Sequence, residues 1–468
     1  MRSRLFNVIE VVRASYWFIP SVMAIVAILL GGLAVWLDSL GPADDWLSGL
    51  SWYQSAKPDG AHEVLSTIAG SMITVAGVVF SITIVALAYA SSQYGPRLLT
   101  NFMTNRGNQV TLGTFIATFV YCLVVLRTIR GGDEEFVPQL AVMIGMVLGL
   151  ASIGVLIYFI HHVPQSIHIN KVVANIGRQL IASVGNRFPD FIGEEAAPHE
   201  RAFRRVPEAA AALSGKGDDP RLVSIVGNAT GYIEAIDEAR LMENAQRHDL
   251  VVRLRYRPGD YLHAGRTLLQ AWPSERVSRE AAEGLRGSYA VGDKRTPYGD
   301  LDFLIEELVE IAARALSPGV NDPATARTCF DWLGAGASEL ARRKLPVPER
   351  TDKEGCVRVI AQPERFEDFI GRSFGALRQY AATDMTAALH VLRTLGEVAV
   401  ACVQHTQLAA LRAEAQWLME MADCALEGQA NEEVRRRGET LKRLIDVGLE
   451  GGRDAMDAMQ PAWLGGTA

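Results

Sequence analysis

Residues 64–92, VLSTIAGSMITVAGVVFSITIVALAYASS, contain no charged side chain. As a helix rising about 1.5 Å per residue, this run exceeds the roughly 30 Å hydrocarbon core of a bilayer and predicts a membrane span. Thr67, Gly70, Thr74, Gly77, Ser81, Ile84, Ala88 and Ser91 recur at spacings of three and four, which places them on one stripe of that helix. All but Ile84 are small or small and polar. Ile73, Val78, Val79, Phe80, Ile82, Val85 and Leu87 fill the other faces. A spanning helix with a small polar face turns it toward protein or water. Two readings stay open: close helix–helix packing, and the wall of a pore. Identical copies of the helix around one axis would satisfy both.

Three more runs fit a bilayer, giving spans at about 17–37, 64–92, 110–126 and 137–160 within a transmembrane domain at 1–168. The first is too long for a signal-peptide core, and no small-residue cleavage site follows it. Trp17 and Trp36 lie at its two ends, where aromatic rings favour the interface, and Trp46, Trp52 and Tyr53 fall in the acidic loop that follows. Arg2, Arg4 and Arg13, then Arg97 and Arg106, then Lys171 and Arg178 fall on one side of a four-span topology, which predicts cytoplasmic termini. Only Arg127 and Arg130, in a turn with Asp133, Glu134 and Glu135, argue the other way. No acidic, basic or histidine side chain lies inside an expected span, which favours a passive pore or an anchor over a coupled pump. His161, His162 and His168 cluster just beyond the fourth span, where such residues more often cap a helix end than bind a metal.

Hydrophobic residues make up 49% of the 468 residues and mean hydropathy is +0.11, which fits a membrane part joined to a water-facing part. A net charge of −7, from 46 basic and 53 acidic residues, gives no sign of nucleic-acid binding. Cys122, Cys329, Cys356, Cys402 and Cys424 are scattered, which argues against a disulfide framework or zinc finger.

The chain beyond 168 reads as mainly α with a small β part. A helical connector and linker occupy 169–220. Residues 222–237 and 249–273 alternate with period two around turns at Pro258-Gly259-Asp260 and Ala264-Gly265, with a short helix over 238–247 between them. Gly259, Asp260, Leu262, Gly265 and Leu268 fill the places of the turn pattern of a lipoyl-type half-barrel, so 221–292 resembles such a module. No lysine occurs between Lys216 and Lys294, so a swinging-arm role is excluded. A helical domain follows at 293–450, with helices over 301–318 and about 364–382, 385–403, 406–426 and 431–449, a strand at 357–361, and a disordered tail at 451–468. Asp322, ahead of Pro323, predicts a helix cap, as does Asp384. Asn321 and Asp322 also admit a second role, as a contact for a ligand or cytoplasmic partner.

Residues 84–130, YFIHHVPQSI (158–167), TGYIEAID, RPGDYLHAG and ALSPGVNDPATA (315–326) together resemble a bacterial predicted membrane protein family, domain of unknown function 2254. The resemblance implies a four-span inner-membrane protein and no particular activity.

The residues themselves frame the function. An oligomeric channel for ions or small solutes would line its path with Thr67, Gly70, Thr74, Gly77, Ser81, Ile84 and Ser91. Arg97 and Arg106 would stand at its cytoplasmic mouth. The alternative is a non-conducting scaffold or sensor. No phosphate loop, GxSxG or HExxH motif stands in a credible context, and no enzyme and no cofactor are expected.

Overall fold

The structure is a computed structural model that describes residues 17–40, 57–95, 106–130, 136–187, 194–195, 220–295, 300–343, 345, 347–362 and 364–464. The chain divides into two compact units, Met1–Val172 and Val173–Ala468.

The first unit holds four helices long and apolar enough to cross a membrane. They are α1 (Phe18–Leu40), α2 (Pro58–Tyr94), α3 (Arg106–Leu126) and α4 (Gln139–Ile167). All four exceed their expected bounds at one end or both, α1 running on to Leu40. α2 begins at Pro58, whose missing N–H costs nothing in a first turn; α3 takes in Arg106, and α4 runs on past His161 and His162. Charged and polar side chains are tolerated in such end turns, which windows of pure hydropathy exclude.

α3 is the central helix and packs against the other three. Two of its polar residues find partners inside the bundle: Thr118 and Ser152 share a hydrogen bond of 3.0 Å, and Tyr121 donates to the Ala141 carbonyl at 2.9 Å. The Asp38 carboxylate accepts from the Leu140 and Ala141 amides at 3.2 and 3.0 Å, so the end of α1 caps the start of α4. α1 buries Ala27, Gly31 and Ala34 and exposes Leu29 and Leu33. Without a hydrophobic drive between helices in lipid, small residues take the contact and large ones meet the acyl chains.

The second unit opens with α5 (Ile169–Arg187), which the unit boundary cuts near its start, and then mixes sheet and helix. Its strands are β1 (Glu194–Glu195), β2 (Val223–Val226), β3 (Gly231–Ile236), β4 (Val251–Leu254), β5 (Tyr261–Leu262), β6 (Thr267–Trp272), β7 (Tyr289–Gly292), β8 (Glu349–Thr351) and β9 (Val357–Ile360). Between them lie α6 (Glu238–Arg247), α7 (Arg279–Arg286), α8 (Leu301–Ala315) and α9 (Pro323–Arg342). One sheet has the order β1-β8-β9-β4-β6-β2, the other β5-β3-β7. β4 pairs parallel with β9, Val252 opposite Val359; the remaining pairs are antiparallel. The expected half-barrel at 221–292 is therefore not self-contained. Its larger sheet is completed by strands from 349–360, because β4 has an open edge and β9 brings Val357 and Val359 to cover it. Gly259 sits at φ +95° with its Cα against the Asp300 carboxylate, where a side chain would collide.

The helical remainder comprises α10 (Phe366–Ile370), joined through a π-helical turn at Gly371–Gly375 to α11 (Ala376–Ala381), then α12 (Met385–Ala401), α13 (His405–Ala425) and α14 (Gly428–Leu464). α14 corrects the expected tail at 451–468: helix continues through Gly451 and Gly452 to Leu464, and Met456 is buried. A pair of glycines weakens a helix, but packing overrides propensity.

Candidate functional site

α2 carries two small-residue stripes. Ala61, Leu65, Ala69, Met72, Ala76, Val79, Thr83 and Ala86 are buried within the first unit. Thr67, Gly70, Thr74, Gly77, Ser81, Ile84 and Ala88 are exposed. At about 100° per residue the two sets lie on opposite sides of the helix. The stripe singled out from the sequence therefore points away from the rest of its own bundle. A side chain built at Gly70 or Gly77 would meet nothing within 4 Å. Thr74 donates to the Gly70 carbonyl at 2.8 Å and Ser71 to Thr67 at 2.7 Å, so these hydroxyls are satisfied inside the helix. The face is polar in composition. It can lie against another helix, or exchange its bonds for water or an ion. The Ser91 side chain and all of Arg97 lie outside the described residues, as do 1–16 with Arg2, Arg4 and Arg13, the loop with Trp46, Trp52 and Tyr53, 131–135, and most of the linker.

Arg106 stands over a different feature. It borders a groove of about 450 Å³ with Gly107, Val110, Thr111, Ala151, Gly154, Val155 and Tyr158, all from α3 and α4 and none from the stripe. The Tyr158 ring stacks on His162 with centroids 5.0 Å apart. Among the described residues the clustered histidines do not group as a metal-holding set. The group that does, Asp352, Glu354 and Cys356, is a tight turn. One Asp352 oxygen accepts the Glu354 and Cys356 amides at 3.0 and 2.9 Å, and the other takes Arg358 Nε at 2.8 Å.

A family profile described as "Predicted membrane protein (DUF2254)" matches residues 13–397. The chain belongs to this family. Similar proteins include uncharacterized proteins of Mycobacterium bovis and of two Mycobacterium tuberculosis strains, each 30% identical over 426 residues, covering 88% of this chain and 77% of the relative. No solved structure matches. The DUF2254 match spans all four membrane helices, both sheets and the Asn321-Asp322 corner.

That corner is a self-bonded turn. Asn321 adopts φ +48°, its amide donates to Ser317 at 2.9 Å, and the Asp322 amide donates to Ala315 at 2.7 Å. Asp322 caps α9 as expected, accepting the Thr325 amide at 3.2 Å and the Thr325 hydroxyl at 2.5 Å. Both carboxylate oxygens are thus used within the turn, while Asn321 remains exposed.

Other charged clusters of the second unit were invisible to motif reading. Glu364, near the start of α10, pairs with Arg257 at 2.8 Å and with Arg372, which also holds Asp302. Burial pushes the Glu364 carboxyl above its ordinary range against the pull of Arg372. Arg358 bridges Asp352 and Asp249, and its hydrogen bond holds the Asp249 carboxyl below the usual range. Arg378 makes a two-pronged bond to Glu414 at 2.8 and 2.6 Å and lies 4.8 Å from the centroid of the Trp417 ring. Trp417 and Met421 are exposed beside a cavity of about 390 Å³. Arg257 with Glu364, Arg358 with Asp249 and Arg378 with Glu414 are separated by tens to more than a hundred positions, so no local spacing announces them.

Proposed function

We propose that this DUF2254 protein assembles as a homo-oligomeric channel in the bacterial inner membrane, with both termini cytoplasmic, and passes ions or small solutes. The stripe of α2 lines the path, Ile84 forms an apolar constriction, and the second unit serves as vestibule or gate. One observation carries the reading: a charge-free small-polar face lies opposite the face that packs within the bundle. Such a face has no use in a solitary copy, where it would spend its hydroxyls and glycines on acyl chains. Around an axis the same face lets backbones approach and offers hydroxyls to a hydrated ion.

The test is single-channel recording of the purified full chain in planar bilayers. The wild type should conduct, and Ile84→Ser should raise the conductance severalfold. Gly77→Leu should abolish both the oligomer and the current. Silence of the wild type and of Ile84→Ser together overturns the reading.

A second reading, a non-conducting scaffold or sensor, is supported by the exposed Trp417 and Met421 beside their cavity. Photocrosslinking from Trp417 in cells should then capture one defined cytoplasmic protein, and Asp322→Ala should leave that capture unchanged, since Asp322 is spent on its cap.

A further inference from the structure

We infer that the groove between α3 and α4 is a binding site for one anionic glycerophospholipid, with an acyl chain between the helices and the phosphate at Arg106. The inference does not depend on conduction. The walls come from two membrane-spanning segments, so the space opens onto hydrocarbon and lipid is what fills it. Gly107, Thr111, Ala151 and Gly154 keep the walls low, and an added side chain at Gly154 would meet nothing within 4 Å. Val110 and Tyr158 stand exposed along the rim.

The polar end of the groove is built for a negative headgroup. Arg106 is exposed, and no carboxylate or other group of the protein pairs with it among the described residues. It opens α3, where the helix dipole favours negative charge. Tyr158 adds a hydroxyl that bonds to no protein group among the described residues, on a ring braced by His162. A free guanidinium, a phenol and a helix start at the mouth of an apolar trough match the phosphate, the glycerol and the chain of one lipid in turn. A zwitterionic lipid would bring its own cation to Arg106 and gain less.

The experiment is native mass spectrometry of the full chain purified from vesicles of equimolar phosphatidylglycerol and phosphatidylcholine. The wild type should retain phosphatidylglycerol at least fivefold over phosphatidylcholine. Arg106→Gln should lose that preference and Arg106→Lys should keep most of it. Gly154→Leu, which leaves every charge in place, should lose the retained lipid of either kind. Both variants change exposed positions and should elute as the wild type does. Equal retention of the two lipids by the wild type overturns the inference. So does an undiminished preference in Arg106→Gln, or a Gly154→Leu protein that holds lipid as well as the wild type, which would mark general attraction to anionic surfaces. Disulfide formation between Gly154→Cys copies with no retained lipid would make the groove a subunit contact and equally sink it.

Discussion

The first membrane helix and the second unit bury different kinds of residue. In Met1–Val172, α1 hides Ala27, Gly31 and Ala34 while Leu29, Leu33 and Trp36 stand outside. In Val173–Ala468, Leu304, Leu308, Phe330, Phe369, Leu392 and Leu395 form the interior, and the exposed surface is largely charged. The difference is that of the solvent. In water, large apolar side chains gain by leaving it. In hydrocarbon they gain nothing, so contact goes to side chains that let backbones meet. A buried position in α1 is therefore recognised by smallness, and one in the second unit more often by bulk. The stripe of α2 takes its meaning from this contrast: its residues are the type that packs in a membrane helix, yet among the described residues they stand exposed.

The comparison breaks hardest where the second unit stakes a buried charge. Glu414 is only 2% exposed and Arg378 is its partner. Arg378→Ala should cost about 3 kcal/mol by leaving that carboxylate unpaired, read as a fall in the melting temperature of the full chain. The described spans contain no such pair, so no single charge removal inside them should match it.

Glycines sharpen the contrast at slightly smaller cost. A side chain at Gly177 would overlap the Trp332 ring, so Gly177→Val should destabilise by about 2 kcal/mol through overpacking. Gly77→Val adds the same atoms in open space and should shift the melting temperature of the detergent-solubilised monomer by less than about 0.5 kcal/mol equivalent. If both variants melt alike, the outward position of the stripe is wrong.

Next comes the Asp38 carboxylate of the membrane unit. Asp38→Ala removes the cap from the start of α4 and should cost about 1–2 kcal/mol. Asp38→Asn keeps an acceptor and should recover part of it, measured by heat-induced aggregation in detergent.

What the sequence reveals follows the same division. The four spans were legible because length and absence of charge are local properties. The caps Asp322 and Asp384 were legible because a cap acts within three residues. The inward stripe of α2 was not: Ala61, Ala69 and Ala76 are no smaller than the glycines and hydroxyls opposite, so composition does not say which face meets the bundle. The pairing of β4 with β9 was hidden for another reason. Val252 and Val359 are joined across three intervening helices, and parallel pairing leaves no turn signal to mark it. Arg257 with Glu364, and Arg378 with Glu414, look like ordinary surface charges until the fold brings them together. The expected role of Asn321 and Asp322 as a contact drew on residue type alone, and type does not reveal that the carboxylate is spent on Thr325.

The smallest expected effect tests whether the water-facing unit, unlike the membrane unit, answers to pH. Burial alone would raise the Asp352 carboxyl, but the bond from Arg358 and the amides of Cys356 and Glu354 outweigh it, and its pKa is lowered. A carboxyl lowered on folding stabilises while it is ionised. That contribution is present above the ordinary carboxylate range, about pH 4, and is lost as pH falls through the lower folded value. The full chain should therefore lose stability on acidification below about pH 4, and Asp352→Asn should flatten that loss. Above pH 6 the same variant should sit at a constant offset from the wild type. A parallel pair of melting curves from pH 7 down to pH 3 would mean that the Arg358 bridge does not hold the Asp352 turn, and with it the edge of the sheet where β8 meets β9.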